Sequence, residues 1–138
     1  MEEYTIKNGN AFTLMIENIE VCRLIINRDI DEYYNIKWTI TSWYTKEGYG
    51  HKGYGTKLMQ HAIHQMFKSD GKPHTIEYVW NGANQYVYNW LEKFDPVCKC
   101  PLVVLKTQND DEWDAHIYTL NVNKFLDYFG VKDNDYGF

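Results

Sequence analysis

The 138-residue sequence is poor in several features, and each shortage excludes a class of protein. Lys and Arg number 14 against 19 Asp and Glu, a formal net charge of −5, which argues against nucleic acid as the main partner. No apolar run approaches the roughly 20 residues that span a bilayer, so we expect no membrane segment. The chain opens with Met1-Glu2-Glu3-Tyr4, acidic where a signal peptide is basic. We therefore expect a soluble, cytoplasmic protein.

Cysteine is also scarce, with three residues at Cys22, Cys98 and Cys100. An odd number in a chain of this length predicts reduced thiols, not a disulfide framework. The close pair Cys98 and Cys100 lacks a second pair at zinc-finger spacing, and we expect no metal site. His61 and His64 lie three residues apart on a predicted helix, where we interpret them as polar-face residues.

Aromatic residues are abundant, at 17% of the chain: twelve Tyr, six Phe and five Trp. The length, the hydrophobic fraction of 44% and the charged fraction of 24% are typical of one globular domain, expected over residues 1–138. Aromatic side chains either fill a core or line a ligand groove. Trp38 and Phe67 fall on apolar faces of predicted elements and are assigned to the core.

Alternating hydrophobicity predicts strands through the first 45 residues. Phe12–Ile16 and Ile19–Ile25 predict a β-hairpin, and the turn residues Asn8 and Gly9 predict a short strand before it, Tyr4–Lys7. A long strand follows. The residues predicted to share one of its faces are Tyr34, Ile36, Trp38, Ile40, Ser42 and Tyr44.

The period then changes to that of helices. Apolar residues from Leu58 to Phe67 recur at helical spacing and predict an amphipathic helix of about four turns. The later predicted elements are a strand at His74–Trp80, a helix at Asn84–Phe94, strands at Leu102–Leu105 and His116–Leu120, and a closing helix at Val122–Phe129. This order predicts an α+β domain with one strand-helix-strand crossover.

A glycine-rich turn joins the long strand to the first helix, with glycines at 48, 50, 53 and 55. Such a turn can point backbone N–H groups into one cavity at the positive end of the helix, which favours phosphate. A sharp connection without a ligand is the alternative. A P-loop is excluded because Thr56-Lys57 follows Gly55 where Lys-Ser/Thr is required. Gly48–Gly53 matches G-x-G-x-x-G, but after several strands and without the later acidic residue of a dinucleotide fold.

Two segments resemble the GNAT superfamily of N-acetyltransferases. Gly50–Gly55 is similar to the family's R/Q-x-x-G-x-G/A motif, with Gly50 where the family has Arg or Gln. Asn84–Val87, leading into Trp90–Phe94, is similar to N-x-x-A-x-x-x-Y-E-K-x-G-F. The resemblance spans about residues 30 to 105. It implies a mixed, mostly antiparallel sheet with helices on both faces, and residues 8–33 indicate a shortened N-terminal helical region.

The resemblance implies transfer of an acetyl group from acetyl-CoA to a primary amine, by direct attack in a ternary complex. A reduced N-terminal region predicts an open cleft, which slightly favours a peptide or protein acceptor over a small molecule. The alternative is a coenzyme A-binding or protein-interaction module of the same fold without catalysis. The residues implied to bind the cofactor are Trp43, Tyr44, Thr45, Gly50, His51, Lys52, Gly53, Tyr54, Gly55, Thr56 and Asn84.

The resemblance also suggests catalytic residues. The family's thiolate-protonating Tyr lies seven residues after the motif Asn, where this chain has Leu91, so Tyr88 is predicted as the donor, with Tyr86 as the rival. Glu77 is predicted as the base, with Glu47 as the rival, unless no dedicated base is required.

Two further groups have open interpretations. The acidic run Asp110-Asp111-Glu112, with Asp114, is interpreted as a solvated hairpin tip in preference to an attractor of cationic substrate. The aromatic residues assigned either to an acceptor cleft or to the core are Tyr33, Tyr34, Trp43, Trp80 and Tyr86.

Overall fold

A computed structural model describes residues 1–80, 85–106 and 112–131 of the chain. The strands are β1 (Glu2–Lys7), β2 (Ala11–Ile16), β3 (Ile19–Ile30), β4 (Ile36–Thr45), β5 (Thr75–Trp80), β6 (Val97–Lys106) and β7 (Glu112–Leu120). The helices are α1 (Tyr54–Asp70), α2 (Gln85–Leu91) and α3 (Val122–Tyr128), and a 3₁₀ turn (Glu92–Phe94) follows α2.

The strands form one seven-stranded sheet in the order β1-β2-β3-β4-β5-β7-β6. All neighbours pair antiparallel except β4 and β5, which are parallel and are connected through α1. The predicted α+β class and mostly antiparallel, mixed sheet are confirmed. The single crossover is also where the sequence places it, because the hydrophobic period changes from two to 3.6 at this point.

The N-terminal third consists of tight hairpins. Asn8 and Gly9 adopt φ values of 55° and 73° between β1 and β2, and Glu17 and Asn18 adopt 50° and 67° between β2 and β3. Paired left-handed residues match the twist of a two-residue hairpin turn. Residues 1–53 are all described and contain strands and turns only, in agreement with the predicted lack of N-terminal helices.

The described helices contact one another through a shared core. His64 Nε2 of α1 lies 2.8 Å from the carbonyl oxygen of Phe129, directly after α3. Trp90 of α2 lies with its ring 4.8 Å from that of Trp43, whose indole contacts α1 at Gly55. One core cluster therefore contains side chains of all three helices. Residues 1–53 form hairpins, so the N-terminal segment contributes strands and no helix to this fold.

A β-bulge interrupts β4. Ile25 of β3 lies opposite Ser42, but the next residue, Ile26, lies opposite Ile40, so the pairing skips Thr41. An extra residue in one strand shifts every later side chain to the other face of the sheet.

The bulge corrects the predicted face of β4. Trp38 and Ile40 are buried in the core, as expected, but beyond Thr41 the side chains that face α1 are Trp43 and Thr45. Tyr44 is exposed. The prediction that alternate residues from Tyr34 to Tyr44 share one face was therefore wrong, because period-two alternation assumes unbroken pairing.

Several boundaries also differ. Tyr34, expected in β4, lies in the preceding turn with a φ of 62°, since Asp31 Oδ1 accepts hydrogen bonds from the N–H groups of Tyr33 and Asn35. The helix predicted over Asn84–Phe94 is α-helical only to Leu91, and β6 is longer than the apolar run. Among the described helices, none is both long enough and apolar enough to cross a bilayer.

Candidate functional site

A cleft of about 430 Å³ lies where the end of β4 meets the glycine turn, the start of α1 and one side of α2. Its lining consists of Trp43, Tyr44, Thr45, Tyr49, Gly50, His51, Gly53, Tyr54, Gly55, Thr56 and Val87. The structure thus gathers the predicted cofactor residues of β4 and the turn around one cavity, apart from Lys52. Asn84 lies outside the described residues. Tyr49 and Val87 are cleft residues that the sequence analysis missed.

One wall of the cleft is the terminal segment of β4, Trp43–Thr45. The described pairing of β4 with β5 runs from Lys37 opposite Thr75 to Ile40 opposite Tyr78 and ends there. The later β5 residues, Val79 and Trp80, pair with β7. The two strands diverge beyond the bulge, so the Trp43–Thr45 backbone has an edge that can pair with an extended ligand.

The floor of the cleft is the start of α1. Gly53 precedes the helix with a φ of 79°, and no side chain caps this end. The first described helical bond runs from Lys57 N to Gly53 O, at 3.0 Å. The N–H groups of residues 54–56 precede that bond and have no carbonyl partner within the helix. Together with the helix dipole, they make this end a favourable place for an anion.

Gly55 packs closely against β4. A Cβ at this position would lie 3.4 Å from both Trp43 Nε1 and Thr45 Oγ1. The Trp43 indole also donates a hydrogen bond to the Gly55 carbonyl oxygen, at 3.3 Å. The first turn of α1 is thereby fixed to the open segment of β4. Sequence reasoning missed this bond because the bulge decides that Trp43 faces the helix.

Cationic groups stand at the rim. Lys52 Nζ lies 5.7 Å from the ring centroid of Tyr49, beside the cleft. Lys57 Nζ is 3.0 Å from Glu2 Oε1, and this hydrogen bond raises the pKa of the lysine. Lys57 is therefore partly neutralised by its acidic partner, whereas Lys52 contacts an aromatic face and has no acidic partner among residues 1–80, 85–106 and 112–131.

Tyr88 follows the cleft-lining Val87 in sequence, but its side chain lies in an aromatic cluster outside the cleft lining. Its ring centroid is 5.1 Å from Trp80 and 5.8 Å from Tyr118. Burial raises the pKa of Tyr118, and Cys98 and Tyr88 raise it further. The cleft lining from α2 is Val87. Catalysis by Tyr88 stays a prediction, as does that of the rival Tyr86, which is exposed with its ring 6.1 Å from His51.

Glu77 is buried, with 4% of its surface exposed, although it lies on β5 away from the helices. Two ammonium groups approach the same carboxylate oxygen, Oε1: Lys99 Nζ at 3.2 Å, from β6, and Lys37 Nζ at 3.7 Å, from the adjacent strand β4. Glu77 was predicted as a base and this role stays a prediction. The exposed Glu47, its rival, is outside the cleft lining.

Trp90 carries a buried polar atom without a partner. Among the buried side-chain nitrogen and oxygen atoms of the described residues, Trp90 Nε1 is the one without a hydrogen-bond partner. Its ring is packed between Trp43, at 4.8 Å, and Phe94, at 4.9 Å. The sequence places Trp90 on the apolar side of its helix but gives no signal that its indole N–H lacks an acceptor.

The remaining predicted residues divide between the core and the far end of the sheet. Trp38 and Phe67 are buried, as predicted. Tyr33 and Tyr34 are 75% and 81% exposed in the β3–β4 turn, so they do not belong to the core, and their place in an acceptor cleft stays a prediction. Asp110 and Asp111 lie outside the described residues, so their interpretation as a hairpin tip stays a prediction. Among the described residues, no cluster of three metal-ligating side chains is found.

Comparison with known families assigns this architecture. The model of the acetyltransferase (GNAT) family matches residues 6–95, which include β4, the glycine turn, α1 and α2. The chain belongs to the GNAT acetyltransferase family. No curated protein sequence matches the chain.

Solved structures of N-acetyltransferases share the fold. Arabidopsis thaliana Naa50, in complex with the bisubstrate analogue CoA-Ac-MVNAL, superimposes with a TM-score of 0.58 at 14% identity, over 79% of this chain and 70% of that chain. The ribosomal-protein-S18-alanine N-acetyltransferase of Escherichia coli gives 0.57 at 18% identity, over 86% and 69%. Ard1 of Thermoplasma volcanium gives 0.58 at 11%, over 82% and 70%. These likenesses establish the fold alone.

Proposed function

We propose that residues 1–138 form a single acetyltransferase domain that transfers the acetyl group of acetyl-CoA to a primary amine, by direct attack in a ternary complex. The observation that carries the proposal is the juxtaposition in one cleft of an open strand segment, Trp43–Thr45, and the uncapped start of α1 at Gly53. An extended, anionic ligand matches both walls of such a cleft.

The residues present fit coenzyme A. The pyrophosphate is proposed to accept hydrogen bonds from the N–H groups of residues 54–56, with Lys52 adding charge at the rim. The backbone of Trp43–Thr45 is proposed to pair with the amide groups of the pantetheine arm, because the edge facing β5 is open here. When bound, the cofactor supplies an activated thioester carbonyl for nucleophilic attack.

The proposed reaction forms a C–N bond between the acceptor amine and the acetyl carbonyl carbon and breaks the C–S bond. The amine loses one proton and the departing thiolate gains one. Tyr88 is proposed to supply the thiolate proton from its position one residue past the cleft-lining Val87. Glu77 is proposed to take the amine proton through water, using Oε2, because both of its ion pairs engage Oε1.

For the acceptor, we propose the amino terminus of a peptide or protein. The described N-terminal segment, residues 1–53, forms hairpins and places no helix beside the cleft, which supports an acceptor that approaches an open surface. The names of two structural neighbours also state acetylation of protein or peptide substrates.

The test combines calorimetric titration of acetyl-CoA with a thiol-release assay on peptide amino termini, lysine side chains and polyamines. We expect saturable binding, and release of free thiol that requires a peptide with an unblocked amino terminus. Polyamine acetylation as efficient as that of any peptide would contradict the proposed acceptor class. No binding at millimolar acetyl-CoA would contradict the function itself, since a ligand specific for the folded protein must be detectable at that concentration.

A matched pair of variants locates the binding in the cleft. Gly55→Val places a branched side chain against Trp43 and Thr45, where even a Cβ is at 3.4 Å, and should reduce acetyl-CoA affinity about tenfold or more. Gln65→Val is the control, because Gln65 is exposed on α1 and lies outside the cleft lining. Equal affinities for the two variants would place the ligand elsewhere.

A coenzyme A-binding module without catalysis is the second candidate, and Leu91 favours it. The motif position that carries a Tyr in the family holds a fully buried Leu here, which cannot donate a proton. Acetyl-CoA binding with no thiol release from the whole amine panel would select this candidate.

A further inference from the structure

The unpartnered N–H of Trp90 is the strongest feature of the molecule without an assigned role. A buried donor without an acceptor destabilises the protein that contains it, because water no longer satisfies it. Phenylalanine would fill most of the same space without that penalty. An indole at this position therefore suggests that its nitrogen finds an acceptor in another state of the protein.

Trp90 is not part of the cleft lining, but two lining residues connect it to the cleft. Trp90 follows the cleft-lining Val87 by three residues on α2, so the two side chains lie on neighbouring turns of the same helical face. The Trp90 ring is in contact with that of Trp43, at 4.8 Å between centroids. Trp43 itself belongs to the cleft lining, and its own N–H is already used by the Gly55 carbonyl oxygen.

The chemistry of the missing partner is also restricted. An indole Nε1–H is a neutral donor and cannot accept a hydrogen bond. The side chains of the cleft lining nearest to Trp90 are Trp43 and Val87. The matching acceptor beside them is a neutral carbonyl oxygen, because an anion would lose its hydration among apolar groups. The ligand proposed for this cleft carries such carbonyls in its pantetheine arm, beside Trp43–Thr45.

We infer that Trp90 is a binding residue for acetyl-CoA, whose Nε1–H donates a hydrogen bond to an amide carbonyl oxygen of the pantetheine arm. The inference rests on the proposed function and adds a side-chain donor from α2 to the backbone contacts of β4. The hydrogen bond forms only in the complex, and the contribution of Trp90 therefore appears in ligand affinity and not in the stability of the free protein.

Two Trp→Phe variants test this with opposite expectations. Trp38 is fully buried whereas Trp90 is half-buried, and the Trp38 Nε1 donates to Asp70 Oδ2 at 3.3 Å in the free protein. Trp38→Phe should lower the melting temperature and leave acetyl-CoA affinity unchanged. Trp90→Phe should lower the melting temperature less than Trp38→Phe does, and should weaken acetyl-CoA binding about fivefold.

The ligand fragment adenosine 3′,5′-diphosphate separates this inference from the proposed function. The fragment lacks the pantetheine arm, so Trp90→Phe should bind it as tightly as the wild-type protein does. Equal loss for both ligands would overturn the inference by indicating a general disturbance of the cleft. If the wild-type protein binds neither ligand, the proposed function fails; if it binds acetyl-CoA and Trp90→Phe binds equally well, only the inference fails.

A measurement on the wild-type protein avoids any effect of substitution. The five tryptophans give five indole N–H signals in a ¹H–¹⁵N spectrum, and the Trp90 signal is the one missing from the Trp90→Phe spectrum. Acetyl-CoA should shift this signal downfield and slow its exchange with solvent. A signal unchanged at saturation would overturn the inference.

Discussion

The two halves of β4 behave differently although they belong to one strand. The closed half, Ile36–Ile40, pairs with strands on both sides and places Trp38 in the core. The open half, Trp43–Thr45, pairs with β3 but diverges from β5, and it lines the cleft. The skipped residue Thr41 separates the halves. One inserted residue at Thr41 thus separates a core segment of the strand from a candidate binding edge, while the order of strands in the sheet stays the same.

The largest expected effect lies in the closed half. Trp38→Ala removes a fully buried indole and its bond to Asp70, and should lower the free energy of unfolding by about 3–5 kcal/mol. Urea denaturation measures this loss. Acetyl-CoA affinity, measured under conditions where the variant is folded, should stay within about twofold of wild type, since the closed half does not line the cleft. A large change in affinity would show that the two halves are coupled.

The next effect concerns catalysis beside the open half. If Tyr88 protonates the thiolate, Tyr88→Phe should lower kcat about 100-fold, in the range of general acid catalysis, with acetyl-CoA affinity unchanged. Tyr86→Phe is the matched control on the same helix and should change kcat by less than about twofold. A strong effect at Tyr86 with none at Tyr88 would exchange the two assignments.

A smaller effect is expected at the start of α1. Gly53 has a φ of 79°, so Gly53→Ala should destabilise the fold by about 1–2 kcal/mol and weaken acetyl-CoA binding by disturbing the adjacent N–H groups. Gly50→Ala is the control, because Gly50 lies outside the left-handed region and a Cβ there meets nothing within 4 Å. Thermal melts with and without acetyl-CoA measure both quantities.

The smallest effect is a gain. Gly50 stands where the family motif has Arg or Gln, and the space around it is open. Gly50→Arg should tighten acetyl-CoA binding about fivefold, through a charge-assisted bond to the pyrophosphate that weakens as salt increases. Gly50→Gln should give a smaller, salt-independent gain. An unchanged or weaker affinity for Gly50→Arg would place the pyrophosphate away from the turn.

Much of the fold was predictable because it depends on local sequence. The Asn8-Gly9 turn, the alternation in β2 and β3, and the helical spacing of Leu58 through Phe67 each specify an element without reference to the rest of the chain. These predictions were confirmed.

The errors have non-local causes. No residue type in β4 announces the bulge at Thr41, which results from pairing with β3, so the faces of Trp43 and Tyr44 were exchanged. Tyr34 was assigned to β4 because its left-handed turn depends on hydrogen bonds to Asp31. The ion pairs of Glu77 join three strands, and the missing acceptor of Trp90 depends on the whole core, so neither is visible in the sequence.

The most direct test of the comparison is a backbone ¹H–¹⁵N titration of the wild-type protein with acetyl-CoA. Large, saturable shifts are expected at Trp43–Thr45 and at residues 50–56. Small shifts are expected at Ile36–Ile40 and in the opposite β5 residues, Thr75–Tyr78. No shifts at millimolar acetyl-CoA, or shifts centred on the closed half of β4, would contradict this comparison.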